Sequence, residues 1–250
     1  TGRVIAFTPS AESRAAVDGS VLPSGSSFSV WGWYGTEGDI TKQVFKNEHE
    51  TVSESNGKWT YTGGVQYWIP GNTYNFYGVY PAELPNVDVT NNGNITVTNF
   101  NCSATGDAAI DLMTATTATS DPNLSGDNPP EFVNLNFKHE LARVNFIIAS
   151  EGDAVNITNA QLYGISHIGS FTSNTLTGSG TWTLDPISNE DTPSFKTDNL
   201  DITDTQDHEL FDGDLLLPPH SQLDGAMLTF QYQYEGDTES CLLYTSDAAD

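Results

Sequence analysis

Hydrophobic and polar residues alternate along most of the chain, in short runs that Gly, Asn, Asp and Pro separate. Alternation with a period of two is typical of antiparallel strands with one buried face. No stretch keeps the 3.6-residue period of an amphipathic helix over three turns. The pattern predicts an all-β protein with strands at Val4–Phe7 (closed by Pro9), Phe28–Tyr34, Lys58–Tyr61, Thr73–Tyr80, Ile95–Thr98, Val133–Phe137, Val144–Ile148, Val155–Leu162, Ile168–Phe171, Thr181–Leu184, Leu210–Leu217 and Met227–Tyr234.

Two features interrupt this alternation. Asp121–Pro130 is rich in proline and has almost no apolar content, so we expect a linker between a domain at 1–128 and a second at 129–240. The apolar phase reverses between 133–137 and 144–148. Because a one-residue shift moves side chains to the other face, a bulge or short helical turn is expected at His139–Ala142. Two β-sandwich domains are the expected architecture.

Charge narrows the classes of partner. The chain has 8 Lys and Arg against 33 Asp and Glu, a formal net charge of −25. This negative charge argues against nucleic-acid binding through phosphates and against attraction to an anionic membrane surface. Aromatic residues reach 11%, which favours a folded chain over an acidic disordered one.

The two ends suggest that the sequence is a processed product or a fragment. It begins at Thr1 and shows no signal peptide. Residues 241–250 resemble a translated sequencing adapter, which would leave a truncated second domain ending near Ser240 and make Cys241 non-native. The alternative is a genuine strand with a polar tail, and the nucleotide sequence distinguishes the two. Cys102 and Cys241 are too few for a disulfide framework.

Several motifs approach a catalytic or metal-binding pattern without completing it. His139–Arg143 has Arg where the zincin pattern needs its second His, so a structural His at a strand end is expected. Asp198, Asp201, Asp204 and Asp207 lack the Gly and the spacing of a calcium loop. They favour a polar surface loop, with weak cation binding as the alternative.

No nucleophilic or cofactor motif is complete either. Gly164–Gly169 places its second Gly one position too late for a nucleophile elbow, and Cys102 has no basic neighbour to activate it. No Walker loop or dinucleotide fingerprint occurs. We therefore predict no catalytic, cofactor-binding or metal-binding residues.

Tryptophans offer an alternative function. Exposed aromatic rings stack on sugars, so Trp31, Trp33, Trp59, Trp68 and Trp182 are compatible with a secreted carbohydrate-binding β-sandwich. Large core residues of small sandwiches are often Trp too. Burial discriminates between the two interpretations.

Five segments together resemble the fimbrillin family of Bacteroidota, the Mfa-like and FimA-like pilins. Their order and spacing cover most of the chain from Thr1 to Tyr234. They are Phe28–Tyr34, Tyr67–Gly71 with Tyr74–Pro81, Asp111–Ala115, Val133–Val144 and Leu215–Pro219.

The resemblance implies two tandem transthyretin-like (Ig-like, Greek-key) β-sandwich domains. It also implies a non-enzymatic cell-surface fimbrial subunit or adhesin, made as a lipoprotein precursor and exported via the outer membrane. Expected partners are other pilin subunits, through strand exchange, and a host surface protein or glycan.

In FimA-like members a protease cuts after an Arg just beyond the first strand, and a neighbouring subunit's strand fills the groove that is left. Arg14 stands at that place, although a surface Arg in a polar linker is the alternative. In the family the C-terminal strands are the usual donors. With a chain ending near Ser240 the donor would be missing, and the polypeptide alone is expected not to polymerise normally.

Overall fold

The computed structural model describes residues 2–12, 21–174, 179–187, 193–219, 225–237 and 240–245. The predicted all-β class is confirmed. Helical structure in the described residues is limited to a 3₁₀ turn, Gly106–Ala108, and one short helix, α1 (Thr117–Ser120). The strands are β1 (Phe7–Ala11), β2 (Ser27–Thr36), β3 (Asp39–Gln43), β4 (His49–Ser55), β5 (Lys58–Thr60), β6 (Thr73–Tyr80), β7 (Val87–Val89), β8 (Ile95–Asn101), β9 (Met113–Thr116), β10 (Val133–His139), β11 (Ala142–Val144), β12 (Ile147–Ile148), β13 (Val155–Tyr163), β14 (Ile168–Asn174), β15 (Ser179–Leu184), β16 (Phe195–Thr197), β17 (Leu200–Ile202), β18 (His208–Glu209), β19 (Leu215–Leu217), β20 (Met227–Tyr234) and β21 (Cys241–Thr245).

The chain divides into two compact units that interleave along the sequence. Unit 1 comprises Thr1–Thr98, Asp111–Glu140 and Phe171–Thr181. Unit 2 comprises Asn99–Ile110, Leu141–Ser170 and Trp182–Asp250. β10 pairs with β1 and β9, so residues on both sides of position 128 belong to unit 1.

Unit 1 is built on an eight-stranded sheet with the order β1–β10–β9–β6–β2–β4–β5, in which β3 also pairs with β2. The pairs are antiparallel except β1 with β10, which run parallel from Phe7 opposite Val133 to Ala11 opposite Phe137. Of a second sheet, which has the order β15–β14–β8–β7, only β7 lies wholly in unit 1. The parallel pair joins segments that lie more than a hundred residues apart in the sequence.

The core of unit 1 is strongly aromatic. Phe28 and Phe76 are fully buried, and Phe76 packs edge to face on Trp68, with their ring centroids 6.1 Å apart. Two glycines in adjacent strands make room for these rings. A Cβ on Gly32 would lie 2.7 Å from Phe76, and one on Gly78 would lie 2.7 Å from Phe137. Such approaches are closer than carbon atoms tolerate, so the backbone itself forms part of the core surface.

Unit 2 centres on β13, which pairs with β16 and β17 on one side and with β20 on the other. The register between β13 and β20 shifts between Ile157 and Asn159. β21 pairs with β20, and two short antiparallel pairs, β11 with β19 and β12 with β18, complete the unit. Its buried side chains include Ile157, Ala160, Leu162, Phe195, Ile202, Leu210, Phe211 and Leu215.

The segment predicted as a linker packs inside unit 1. Leu124 is buried, and its carbonyl accepts a hydrogen bond from the Tyr74 N–H at 2.9 Å. The Asp127 carboxylate accepts from the Gly71 N–H at 2.9 Å. Polar composition there reflects side chains that satisfy backbone groups of a neighbouring turn.

Other expectations need correction at the level of single elements. Pro9 does not close the first strand but lies inside β1, at the end of the sheet where a missing N–H is tolerated. Around His139–Ala142 there is no bulge or helical turn. The chain leaves one sheet after β10 and enters another at β11, which explains the reversed phase. Of Leu210–Leu217 only Leu215–Leu217 is a strand.

No helix among the described residues is long and apolar enough to cross a membrane. The short helix α1 instead serves the sheet of unit 1. The buried Thr117 hydroxyl at its first position accepts a hydrogen bond from the Phe76 N–H at 2.8 Å.

Replacing Gly78 with Ala tests the close packing of the core. We expect Gly78→Ala to lower the free energy of unfolding by about 1–3 kcal/mol, because the new methyl group would overlap the buried Phe137 ring. Urea unfolding measures the change. Gly152→Ala is the control, since a Cβ there meets nothing within 4 Å. Equal effects of the two substitutions would contradict the close-packing explanation.

Candidate strand-exchange site

The N-terminal segment 2–12 lies across the core of unit 1 with its alternate side chains inward. Ile5, Phe7, Pro9 and Ala11 are buried, whereas Val4, Thr8 and Glu12 are exposed. Phe7 is 2% exposed and contacts three rings, with centroid distances of 5.3 Å to Phe76, 6.0 Å to Tyr61 and 6.3 Å to Phe45. The period-two alternation therefore fits one strand into a groove lined by aromatic side chains.

Backbone hydrogen bonds hold this segment on both sides. Along β10, the Val133 N–H donates to the Ala6 carbonyl at 2.7 Å and the Glu12 N–H to the Phe137 carbonyl at 2.8 Å. On its other side, the Ile5 N–H donates to the Gln66 carbonyl at 2.8 Å. The Tyr61 hydroxyl, whose pKa burial raises, donates to the Ile5 carbonyl at 2.8 Å. A strand that replaced this segment would find the same groups available.

The sequence pattern did not identify the partners of this segment. Its parallel neighbour β10 was predicted as a strand, but pairing between distant segments leaves no local signal. The other neighbour is the stretch Gln66–Trp68, whose Gln66 carbonyl accepts a hydrogen bond from Ile5 and whose Trp68 N–H donates one to Arg3. The sequence of this stretch has no strand pattern. Arg14, the candidate processing residue, lies outside the described residues.

The His139–Arg143 motif is divided between the two units. His139 ends β10, where its Nδ1 lies 2.9 Å from an Asp111 carboxylate oxygen. In unit 2, the Arg143 Nε lies 2.5 Å from Asp214. Among the described residues, no group of three or more His, Cys, Asp and Glu side chains could hold a metal ion.

Glu140 of the same motif is directed into unit 1. It accepts a hydrogen bond from the Thr114 hydroxyl at 2.5 Å. Burial raises its pKa, and the Thr114 bond offsets part of that shift. Its chemistry is that of a half-buried structural carboxyl group.

The acidic run of unit 2 makes pairwise contacts. Asp204 accepts from the His208 ring at 2.8 Å, which lowers the Asp204 pKa, and Asp201 bonds the Asn156 amide. Lys196 lies 3.5 Å from Asp198. These carboxylates are directed to separate partners.

Among the described residues, those considered for nucleophilic chemistry are bonded to backbone carbonyls. The Ser166 hydroxyl donates to backbone carbonyls, at 2.8 Å to Asp185 and 3.2 Å to Ile168. Cys102 is buried, which raises its pKa to about 12, and its Sγ donates to the His167 carbonyl at 3.0 Å. A thiol with that pKa is an inert packing group near neutral pH.

The tryptophans are mostly internal. Trp31, Trp33 and Trp68 are 7%, 6% and 4% exposed, and Trp59 and Trp182 are half-buried. The three buried rings cannot form the exposed stacking platform that a carbohydrate-binding surface needs. The core interpretation is therefore favoured.

The described residues define the chain as an all-β protein with a peripheral strand in an aromatic groove. The family comparison is more specific: a model of fimbrillin-like proteins matches residues 13–248. The chain belongs to this fimbrillin-like family, which confirms the resemblance. Membership makes it a fimbrial protein whose location is the cell-surface fimbrium.

Two solved structures are similar at low identity. The fimbrial anchor protein Mfa2 from Porphyromonas gingivalis matches with 10% identity and a TM-score of 0.37, covering 98% of this chain and 82% of that one. A fimbrial protein from Bacteroides ovatus ATCC 8483 matches with 13% identity and a TM-score of 0.40, covering 97% and 45%. This chain thus spans less than half of the Bacteroides protein. A search of curated proteins finds no match.

Shortening Phe7 tests the contribution of the N-terminal strand. We expect Phe7→Ala to reduce the free energy of unfolding by about 3–5 kcal/mol, since it empties a site between three rings. Thr8→Ala in the same strand is the control, because Thr8 is exposed. Guanidinium unfolding compares the two, and a Phe7→Ala loss no larger than that of Thr8→Ala would show that the groove is not filled as described.

The raised pKa of Glu140 predicts a pH dependence of stability. A carboxyl group with a folded pKa above its unfolded value of 4.5 binds more protons in the folded state. Folding stability should therefore fall as the pH rises from 4.5 through the raised folded pKa. Glu140→Gln should remove this fall, whereas Glu131→Gln, at an exposed position, should keep it. Thermal unfolding from pH 4 to pH 8 measures both, and identical profiles for the two variants would refute the assignment.

Proposed function

We propose that this fimbrial protein is a non-enzymatic pilus subunit that assembles by exchange of β-strands. In this proposal the displaceable strand is β1, and the groove that holds β1 receives a strand from a neighbouring subunit. The supporting observation is the inward alternation of Ile5, Phe7, Pro9 and Ala11 across the core of unit 1.

Strand exchange is physically reasonable at this place. Loss of β1 would expose the rings of Phe45, Tyr61 and Phe76 and leave backbone groups of β10 without partners. Unpaired edge groups and apolar side chains together favour addition of a new strand. The incoming strand needs an apolar residue at every second position and no catalytic group.

Cleavage after Arg14 is proposed as the step that frees the strand. It would detach residues 1–14, which include all of β1, from the rest of unit 1. The noncovalent contacts of β1 would then be all that holds it. Cleavage after Arg14 stays a prediction from the family resemblance. The same holds for three other features: a lipoprotein precursor exported via the outer membrane, an adhesin role toward a host protein or glycan, and the tandem transthyretin-like arrangement.

The test uses the folded full chain, an Arg-specific protease and a fluorescent peptide of residues 3–12. After cleavage at Arg14, verified by mass spectrometry, we expect the peptide to exchange with the detached strand and to co-elute with the protein. A peptide carrying Phe7→Asp should not be incorporated, because the charge would enter the aromatic groove.

The control protein is Arg14→Lys, which keeps the charge and resists the protease at that bond. It should incorporate no peptide after the same treatment. Complete cleavage without incorporation, or equal incorporation by the uncut Arg14→Lys protein, would argue against an exchangeable β1.

A further inference from the structure

Unit 1 contains a cavity on the face of the large sheet opposite the aromatic core. Its volume is about 210 Å³. The floor comes from β2 and β6, and one wall is the segment from Pro81 to Val89, which includes β7. β7 is the last strand of its own sheet, and the cavity beside it opens to solvent between exposed lining residues.

The floor of the cavity is aromatic. Trp31 and Trp33 lie on the same face of β2, and both line the cavity. The imidazole of His49 packs on Trp31, with ring centroids 4.8 Å apart, and Tyr77 packs on Trp33 at 5.7 Å. These contacts fix the two indoles, so the floor is present before any ligand arrives.

The rim of the cavity is acidic. Glu48, Glu83 and Asp88 are exposed and line it, and of the described residues that do so none is Lys or Arg. Lys42, next to the lining residue Gln43, projects to the other side of the sheet. There its Nζ lies 5.9 Å from the Tyr34 ring centroid.

Glu83 is held in place above the floor. Its carboxylate accepts a hydrogen bond from the Thr51 hydroxyl and lies 3.4 Å from the His49 Nε2. The Thr51 bond is the main reason that its pKa lies below the ordinary value, so the group is ionised near neutral pH. Its own N–H donates to the Ser29 hydroxyl at 3.1 Å.

The shape and charge together specify the kind of ligand. The volume lies below the range of roughly 300–1,000 Å³ that is usual for drug-sized ligands, so one side chain fits better than an extended molecule. Indole rings and carboxylates both attract a cation. A guanidinium group combines stacking on an aromatic face with paired hydrogen bonds to a carboxylate, which an ammonium group does not.

We propose that this cavity is a docking site for an arginine side chain of a partner protein, with the guanidinium over the Trp31–Trp33 floor and against the Glu83 carboxylate. A chain with a net charge of −25 also favours a basic partner segment. This site lies apart from β1 and does not depend on strand exchange. Its success or failure is therefore independent of the proposed assembly mechanism.

The test uses the full chain and short capped peptides. We expect acetyl-Gly-Arg-Gly-amide to shift the indole N–H signals of Trp31 and Trp33 in NMR spectra and to leave that of Trp182 in unit 2 unchanged. The citrulline peptide has the same shape without the charge. Its affinity should be lower by a factor of about ten or more, because a charge-assisted hydrogen bond is lost.

Substitutions at the rim complete the test. Glu83→Gln keeps an acceptor for the Thr51 hydroxyl and should weaken binding of the arginine peptide about tenfold. Asp88→Asn removes a second carboxylate charge from the rim and should also weaken binding. Glu37→Gln removes one charge at an exposed residue that does not line the cavity, and it should leave binding within about twofold because solvent and salt screen such a charge. Equal binding of the arginine and citrulline peptides, no indole shift with either, or the same weakening by Glu37→Gln and Glu83→Gln would overturn the proposal.

Discussion

The aromatic core of unit 1 closes only because the N-terminal strand brings Phe7 between Phe45, Tyr61 and Phe76. Each of these rings comes from a different part of the chain. The strand that carries Phe7 is held in parallel by β10, and the Ser10 hydroxyl reaches the Asn136 side chain across 126 residues. Pairing between such distant segments has a large loop-closure cost, so burial of the alternate side chains must offset it.

That constraint bears on the proposed strand exchange. The inward side chains of β1 provide the stabilisation, whereas its outward side chains, such as Thr8, are exposed. Any segment with an apolar residue at every second position could satisfy the same groove, because the backbone partners on β10 do not depend on side-chain identity. Displacement therefore has a high cost without a replacement strand and a low net cost with one. The proposed exchange of strands between subunits requires this balance.

Elements with strong alternation were predictable from sequence. Thr73–Tyr80 and Met227–Tyr234 were predicted with the bounds that β6 and β20 have. β4 (His49–Ser55) was missed because its pattern is weak, with only Glu50 and Val52 buried in seven mostly polar residues. Two other features depended on neighbours far away in the sequence: the place of Pro9 inside β1 and the packing of residues 121–130. A local pattern does not contain such information. The candidate groove was predictable only as a resemblance, since its lining joins segments that no motif connects.

Strand β2 shows why burial alone does not decide what a tryptophan does. Its residues alternate between two buried faces: Phe28 and Val30 point into the aromatic core, and Trp31 and Trp33 point to the opposite face. The first face is closed by β1, whereas the second is covered only as far as the edge strand β7. The indoles are thus too buried for a flat sugar platform, yet they still form the floor of an open cavity. One strand supports both the closed core and the acidic cavity, so the two surfaces share a single rigid element.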